Sequence, residues 1–346
     1  MESIYYVMAW ACHRRCRHCY EDRFRPYVRG ALEAVIAEAE ANAPLIVANL
    51  PARLTWWDRS GPAPVERGGR IILAGGEALL PGVRERITFP TIERLQVRYA
   101  GQGLRIIVQT TGDLLTPALI EELLARGVWQ ISVSGVDDFH VGLEGPVKQA
   151  AFVDGIAAMM AAAGVMRAGL AAERVAWFEE EGPLYSVFGA TAEAWIGKLW
   201  PRGRAWKNGL STATMADNFC ARWSGGMNFL RSGEAGSEVA IEPDGAVYPC
   251  CLKTGAPLGY LTEEPLEVIL ACLRDDPAFQ AIDAGRPERM GLDAGWSEAE
   301  FLARSETLTP QGKPYANLCI GCDRFHEEVL GPRLMAARAR RMALAC

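Results

Sequence analysis

The chain has 346 residues, a mass of 37.7 kDa and a formal net charge of −6 from 36 basic and 42 acidic side chains. Half of the residues are hydrophobic and 23% are charged, which supports a sizeable core and excludes global disorder. The charge balance speaks against a nucleic-acid binder that works by phosphate neutralisation, and no polybasic run marks a membrane surface.

No cationic segment precedes an apolar stretch in MESIYYVMAW, so no secretory signal is read. The longest apolar run, Gly155 to Met166, is too short to span a bilayer. A soluble, cytoplasmic protein that binds neither membrane nor nucleic acid is expected. In chain order, Ile4 to Ala9 reads as a strand and Gly30 to Ala41 as a helix. Asn42 to Gly69 holds Pro51, Pro62 and Pro64 together with Trp56-Trp57 and reads as an insertion or long loop. Arg70 to Ala74 is a buried-strand run stopped by Gly75-Gly76. Thr91 to Tyr99 has helical spacing, and Leu104 to Gln109 is a strand. Thr116 caps a helix from Pro117 to Arg126. Gln130 to Ser134 is a strand, Val147 to Ala163 a helix, and Val165 to Leu170 the next strand. This alternation implies a parallel sheet, open or closed into a barrel, with a ligand at the C-terminal strand ends.

Beyond residue 200 the pattern changes. Glu238 to Ile241 and Ala246 to Tyr248 flank Pro-Asp-Gly and read as a hairpin. A final helix runs from about His326 to Leu344. Its Arg338, Arg340 and Arg341 complement the helix dipole on a solvated face. Trp195, Trp200, Trp206 and Trp223 cluster at the transition and are read as packing.

The ten cysteines form two groups separated by two hundred residues without any. In this compartment they point to metal or cluster ligation rather than disulfides. Cys12, Cys16 and Cys19 form C-x3-C-x2-C just after the first strand. Three thiolates on one tight loop can hold three irons of a 4Fe–4S cubane and leave the fourth open. A zinc site that adds His13 or His18 is the competing reading.

The motif resembles the signature of radical S-adenosylmethionine (SAM) enzymes. That resemblance covers about Ile4 to Leu170 and implies a partial (β/α)6 TIM-like barrel over residues 1–200. It also implies a SAM-binding 4Fe–4S cluster on Cys12, Cys16 and Cys19. The family's Gly-Gly-Glu run, which holds the methionine amino group, corresponds to Gly75, Gly76 and Glu77 here. Its Thr-Asn-Gly is matched by Thr110-Thr111-Gly112, placing Thr111 at the site. Its Ser-x-Asp-Gly is matched by Ser132-Val133-Ser134-Gly135, placing Ser132 and Ser134 near the ribose. His18 stands where an aromatic residue lies near the adenine; Tyr20 and Gln109 are further lining candidates. The segment from Asp138-Phe-His140 to Glu144-Gly145 is similar to the family's His-Asp…Arg-Gly stretch. Glu144 occupies the usual Arg position, so the contact to the SAM carboxylate is left unassigned.

Gly245 to Cys250 is G-x4-C, with Cys220 upstream and Cys319-Ile-Gly-Cys322 downstream. This resembles the twitch or SPASM extension of the same enzymes, here a small α+β domain over residues 201–346. The further cysteines of a full SPASM set are missing, so Cys220, Cys250, Cys319 and Cys322 would ligate one auxiliary 4Fe–4S cluster. A zinc ribbon is the alternative. Cys251 could replace Cys250 but would face the other way on an extended strand. Cys272 is read as core and Cys346 as a free tail thiol.

The resemblance implies reductive cleavage of SAM to a 5′-deoxyadenosyl radical that takes a hydrogen atom from a substrate. A ribosomal peptide or protein side chain is the expected target, and dehydrogenation of an aminocyclitol- or sugar-type small molecule the alternative. A non-catalytic metal-binding protein is the third reading. An electron donor such as flavodoxin or ferredoxin is implied, and a separate peptide-recognition protein is a further candidate partner.

Overall fold

In the computed structural model the described residues are 1–168, 182–189, 198–222 and 227–345. Trp195, Trp223, Cys346 and the end of the Val165 to Leu170 run lie outside them. Among the described residues no helix is long and apolar enough to cross a membrane.

The backbone is built on a nine-stranded, mostly parallel sheet. In chain order its strands are β1 (Ser3–Val7), β4 (Arg70–Ala74), β5 (Arg105–Thr110), β6 (Val128–Ser134), β7 (Met166–Arg167), β8 (Leu184–Phe188), β9 (Glu238–Ile241), β10 (Ala246–Tyr248) and β11 (Gly259–Tyr260). Their order across the sheet is β11-β10-β9-β1-β4-β5-β6-β8-β7. β1 pairs in parallel with β4 on one side and with β9 on the other. The C-terminal hairpin therefore extends the main sheet, and β10, antiparallel to both β9 and β11, is the one named strand of this sheet that runs against the others.

Alternation along the strands sorts side chains to two faces. Ile4 and Tyr6 of β1, Ile71 and Leu73 of β4, and Val239 and Ile241 of β9 join the large core. That core is covered by the helices Gly30–Ala48, Phe89–Arg98 and Pro117–Ala125 through residues such as Ile46, Leu95 and Ile120. Tyr5, Val7, Ala74 and Ala240 face the other way, into a smaller cluster with Trp10, Cys12, Phe24, Trp200 and Cys251. Cys12, Cys19, Cys250 and Cys319 lie in or against this second cluster, whereas Cys220 and Cys322 pack with the large core.

Several boundaries differ from the sequence reading. The first helix runs on to Ala48 with Pro44 inside it, because Ala39, Ala43, Ile46 and Val47 bury a continuous stripe that outweighs the lost backbone bond. The rest of the supposed loop forms a hairpin of β2 (Thr55–Asp58) and β3 (Val65–Gly68), with Trp56 in the core. The helix expected from Thr91 starts at Phe89, after a wide π-type turn over Arg84–Thr88. The last helix is preceded without a break by Leu318–Phe325 and a second π-type turn, His326–Leu330, before Gly331–Ala345.

Candidate functional site

Cys12, Cys16 and Cys19 lie on an irregular loop that leaves the C-terminal end of β1. They line a pocket of about 760 Å³ with His18, Tyr20, Gly75, Gly76, Gln109, Thr111, Ser134, Gly135 and His140. Each strand end contributes one piece: β1 the cysteine loop, β4 the glycine pair, β5 Gln109 and Thr111, and β6 Ser134 and Gly135. The site therefore lies on the rim of a parallel sheet, where such sheets bind ligands.

The glycine pair is sterically required. Gly75 has φ +143°, and a Cβ on Gly76 would lie 2.2 Å from the Ala11 carbonyl oxygen and 2.9 Å from Cys12 Cβ. Gly76 N–H donates to Ala9 O and Glu77 N–H to Ala11 O, which fixes the turn against the cysteine loop. Glu77 is buried beside this turn. Its side chain is 2% exposed, and its carboxylate accepts from Leu79 N–H, Thr110 Oγ1 and Thr111 N–H. The Thr111 hydroxyl also sits 2.8 Å from it. The carboxylate is thus spent on the turn after β5, because a buried charge needs its full set of donors there. Ser132 is likewise turned away from the pocket, into a polar layer with Gln130 and Ser186.

Residues 137–140 add a constellation with only a faint sequence signal. His140 Nδ1 is 2.8 Å from the Asp137 carboxylate, and the His18 ring meets the His140 ring edge-on at 4.7 Å and stacks on Phe139 at 5.0 Å. Burial and the neighbouring His140 hold His18 down at about 4. Burial also opposes charge on His140, but the bonds to Asp137 and Cys16 outweigh it and lift this imidazole to about 9. Glu144 is at the surface, paired with Lys148. Arg14, within the cysteine loop and lining the pocket, is tied to Asp113 and to the Val141 carbonyl.

The second group assembles from three separate segments. Cys220 sits on the helix Phe219–Arg222, Cys250 follows β10, and Cys319 and Cys322 lie one turn apart on Leu318–Phe325. All four line one cavity with Arg202, Phe219, Lys253, Ile282, Pro287 and Leu318. Cys251 points instead into the core beside Tyr5 and Ala240. Cys272, expected in the core, is exposed at the end of the helix Leu266–Ala271. Arg341 donates to its sulfur, because that helix turns its Leu266, Ile269 and Leu270 side inward.

The donor chemistry fits metal clusters in both places. All of these cysteines are free thiols. Burial pushes Cys12 and Cys319 up to about 12, Cys19 and Cys250 up to about 11, and Cys220 and Cys322 well upward. Bare thiolates would be costly here, whereas metal-bound ones are compensated. Four sulfurs on one zinc ion sit about 3.8 Å apart, from a Zn–S bond of about 2.3 Å. Among the described residues, the group that brings three ligand atoms within 4.8 Å is His18, Asp137 and His140, not either cysteine set. The wider spread of the thiols suits a cubane, which spaces its ligands around a cluster edge.

Residues 234–323 match a family model for SPASM, an iron–sulfur cluster-binding domain. That span contains Cys250, Cys319 and Cys322 and leaves Cys220 outside. A 64-residue stretch is 39% identical to the AdoMet-dependent heme synthase of Methanosarcina barkeri (strain Fusaro / DSM 804), covering 18% of this chain. The match spans 16% of that relative's length. Among solved structures, the chain is similar to BtrN in complex with AdoMet and 2-DOIA, with 14% identity, 86% of this chain and 92% of that chain covered, and a TM-score of 0.42. It is similar to anSMEcpe with bound AdoMet, with 13% identity, coverage of 99% and 97%, and a TM-score of 0.42. Residues 234–323 thus carry a match to a SPASM-type iron–sulfur cluster-binding domain, and the chain as a whole is similar to radical SAM enzymes with such a domain.

Proposed function

We propose that the chain is a radical SAM enzyme that reductively cleaves S-adenosylmethionine and takes a hydrogen atom from a peptide or protein side chain. The observation that carries this reading is the convergence of Cys12, Cys16, Cys19 and the Gly75–Gly76 turn on one 760 Å³ pocket at the strand ends. Cys12, Cys16 and Cys19 would hold three irons of a cubane, and the bare backbone of Gly75 and Gly76 lets a ligand approach beside them. When bound, the cluster and its SAM supply one-electron cleavage of the S–C5′ bond and hydrogen-atom abstraction. Gln109, Thr111 and Ser134 offer the polar groups of the rim, and His18 offers a ring face beside the third cysteine.

Cys220, Cys250, Cys319 and Cys322 would ligate a second cubane completely, with Arg202 offsetting its negative charge. Val141, 81% exposed in sequence beside pocket-lining His140, offers apolar surface next to the pocket that suits a peptide substrate. A flavodoxin or ferredoxin would deliver the electron, and a separate recognition protein would present the peptide.

Anaerobic reconstitution followed by iron analysis and a 5′-deoxyadenosine assay tests the proposal. About eight irons per chain, SAM-dependent deoxyadenosine release and its stimulation by a candidate peptide are expected. Stoichiometric zinc without cleavage would refute the enzyme reading. Stimulation by an aminocyclitol and not by peptides would replace the substrate class.

A further inference from the structure

The loop that carries Cys12, Cys16 and Cys19 has little internal hydrogen bonding. Cys12 N–H donates to Arg25 O, and Cys19 N–H reaches Cys16 O at 3.4 Å. Its order comes from outside. Arg204 places its three guanidinium nitrogens on three loop carbonyls: Nε on Cys16 at 2.8 Å, Nη1 on Asp22 at 3.0 Å and Nη2 on Phe24 at 2.7 Å. The backbone N–H groups of Arg204 and Ala205 both donate to Cys19 O. Asn208 Nδ2 adds Arg17 O, and Lys207 pairs with Asp22.

Two residues earlier, Arg202 extends in the opposite direction. It lines the cavity of Cys220, Cys250, Cys319 and Cys322. Nε donates to Leu252 O, Nη2 to Lys253 O, and the fork closes on Asp323, which directly follows Cys322. Between the two arginines, Gly203 has φ +49°, and a Cβ there would lie 2.4 Å from the Tyr20 carbonyl carbon. Only glycine lets this segment press on the first loop. A second tie runs parallel: Lys253, on the wall of the four-cysteine cavity, pairs with Glu21 and Glu242, and Arg23 pairs with the same two carboxylates while lying 3.5 Å over Trp10.

We infer that Arg202–Gly203–Arg204 is a positioning bridge that makes the order of the first cysteine loop depend on the second cysteine site. Arg204 anchors the loop, Arg202 anchors the bridge to the four-cysteine cavity, and Gly203 allows their contact. The inference rests on the cluster reading above for what the two sites hold, and on geometry alone for the link.

The test uses the full chain, reconstituted anaerobically, as wild type, Arg202→Met, Arg202→Lys, Arg204→Met and Gly203→Ala. Deuterium uptake over residues 12–24 should rise at least about tenfold in Arg204→Met and Gly203→Ala, with β5 and β6 unchanged. Arg202→Met, two residues from the loop contacts, should show the same loosening. It should also lose the change that added SAM produces in the EPR spectrum of the reduced first cluster, and Arg202→Lys should restore part of it. Wild-type uptake over 12–24 in Arg202→Met would overturn the bridge, whatever Gly203→Ala shows. A wild-type chain that binds no iron would overturn the proposed function instead, while the uptake comparison would still decide the bridge.

Discussion

The two cysteine sites are built in opposite ways. The first takes its three thiols from one short loop and opens onto a pocket rimmed by four strand ends. The second gathers four thiols from three distant segments and closes them behind Phe219, Ile282, Pro287 and Leu318. The difference matches the chemistry proposed for each. A cluster that takes a ligand needs an incomplete, accessible donor set, and one that only carries charge or staples the fold needs a complete, dry one. It also has a structural cost. A loop that gathers three ligands locally has few bonds of its own, so its order must be supplied by Arg204 and the glycine turn. The second site is ordered by the core around it.

The contrast can be broken at several points. The largest effect is expected from Cys16→Ala. Deoxyadenosine release should fall at least about a thousandfold while about four irons remain at the second site. Loss of all iron in that variant would mean that the sites do not load independently. Next, Cys319→Ala with Cys322→Ala should remove about four irons and lower the thermal midpoint by about 5–10 °C, because metal binding there also stabilises the fold. An unshifted melting curve would make the second site dispensable for stability. Gly76→Ala should cost about 1–3 kcal/mol of stability and weaken SAM binding, because the new methyl meets Ala11 and Cys12. Calorimetry and equilibrium dialysis read the two effects, and a silent variant would remove the glycine turn from the site. The smallest effects belong to the cysteines outside both sets. Cys272→Ser should leave iron content unchanged and stability within about 0.5 kcal/mol. Cys251→Ala should cost about 1 kcal/mol without loss of iron; a drop in iron would make Cys251 a ligand.

Much of this was visible in the chain. RIILA followed by Gly75-Gly76 reads directly as a buried strand and a tight turn, and the strand–helix alternation of the first 165 residues gives the parallel sheet. C-x3-C-x2-C is a local pattern whose meaning survives without coordinates. Other readings failed where local signals conflict with packing. The prolines between Asn42 and Gly69 suggest a loop, yet the buried stripe through Ile46 and Val47 carries the helix past Pro44. Cys272 looks like core by composition, but its helix turns another side inward. Arg202 and Arg204 carry no sequence signal, because their partners are carbonyls scattered from Cys16 to Lys253.

The sequence by itself determined the main strands of the parallel sheet and the local cysteine loop, since both depend on spacings of a few residues along the chain. Only the tertiary structure decided that β9 lies beside β1, that Cys220 meets Cys319 across a hundred residues, and that one arginine pair touches both sites. Those are long-range contacts, fixed by which faces the whole sheet can bury together and invisible to any window along the chain.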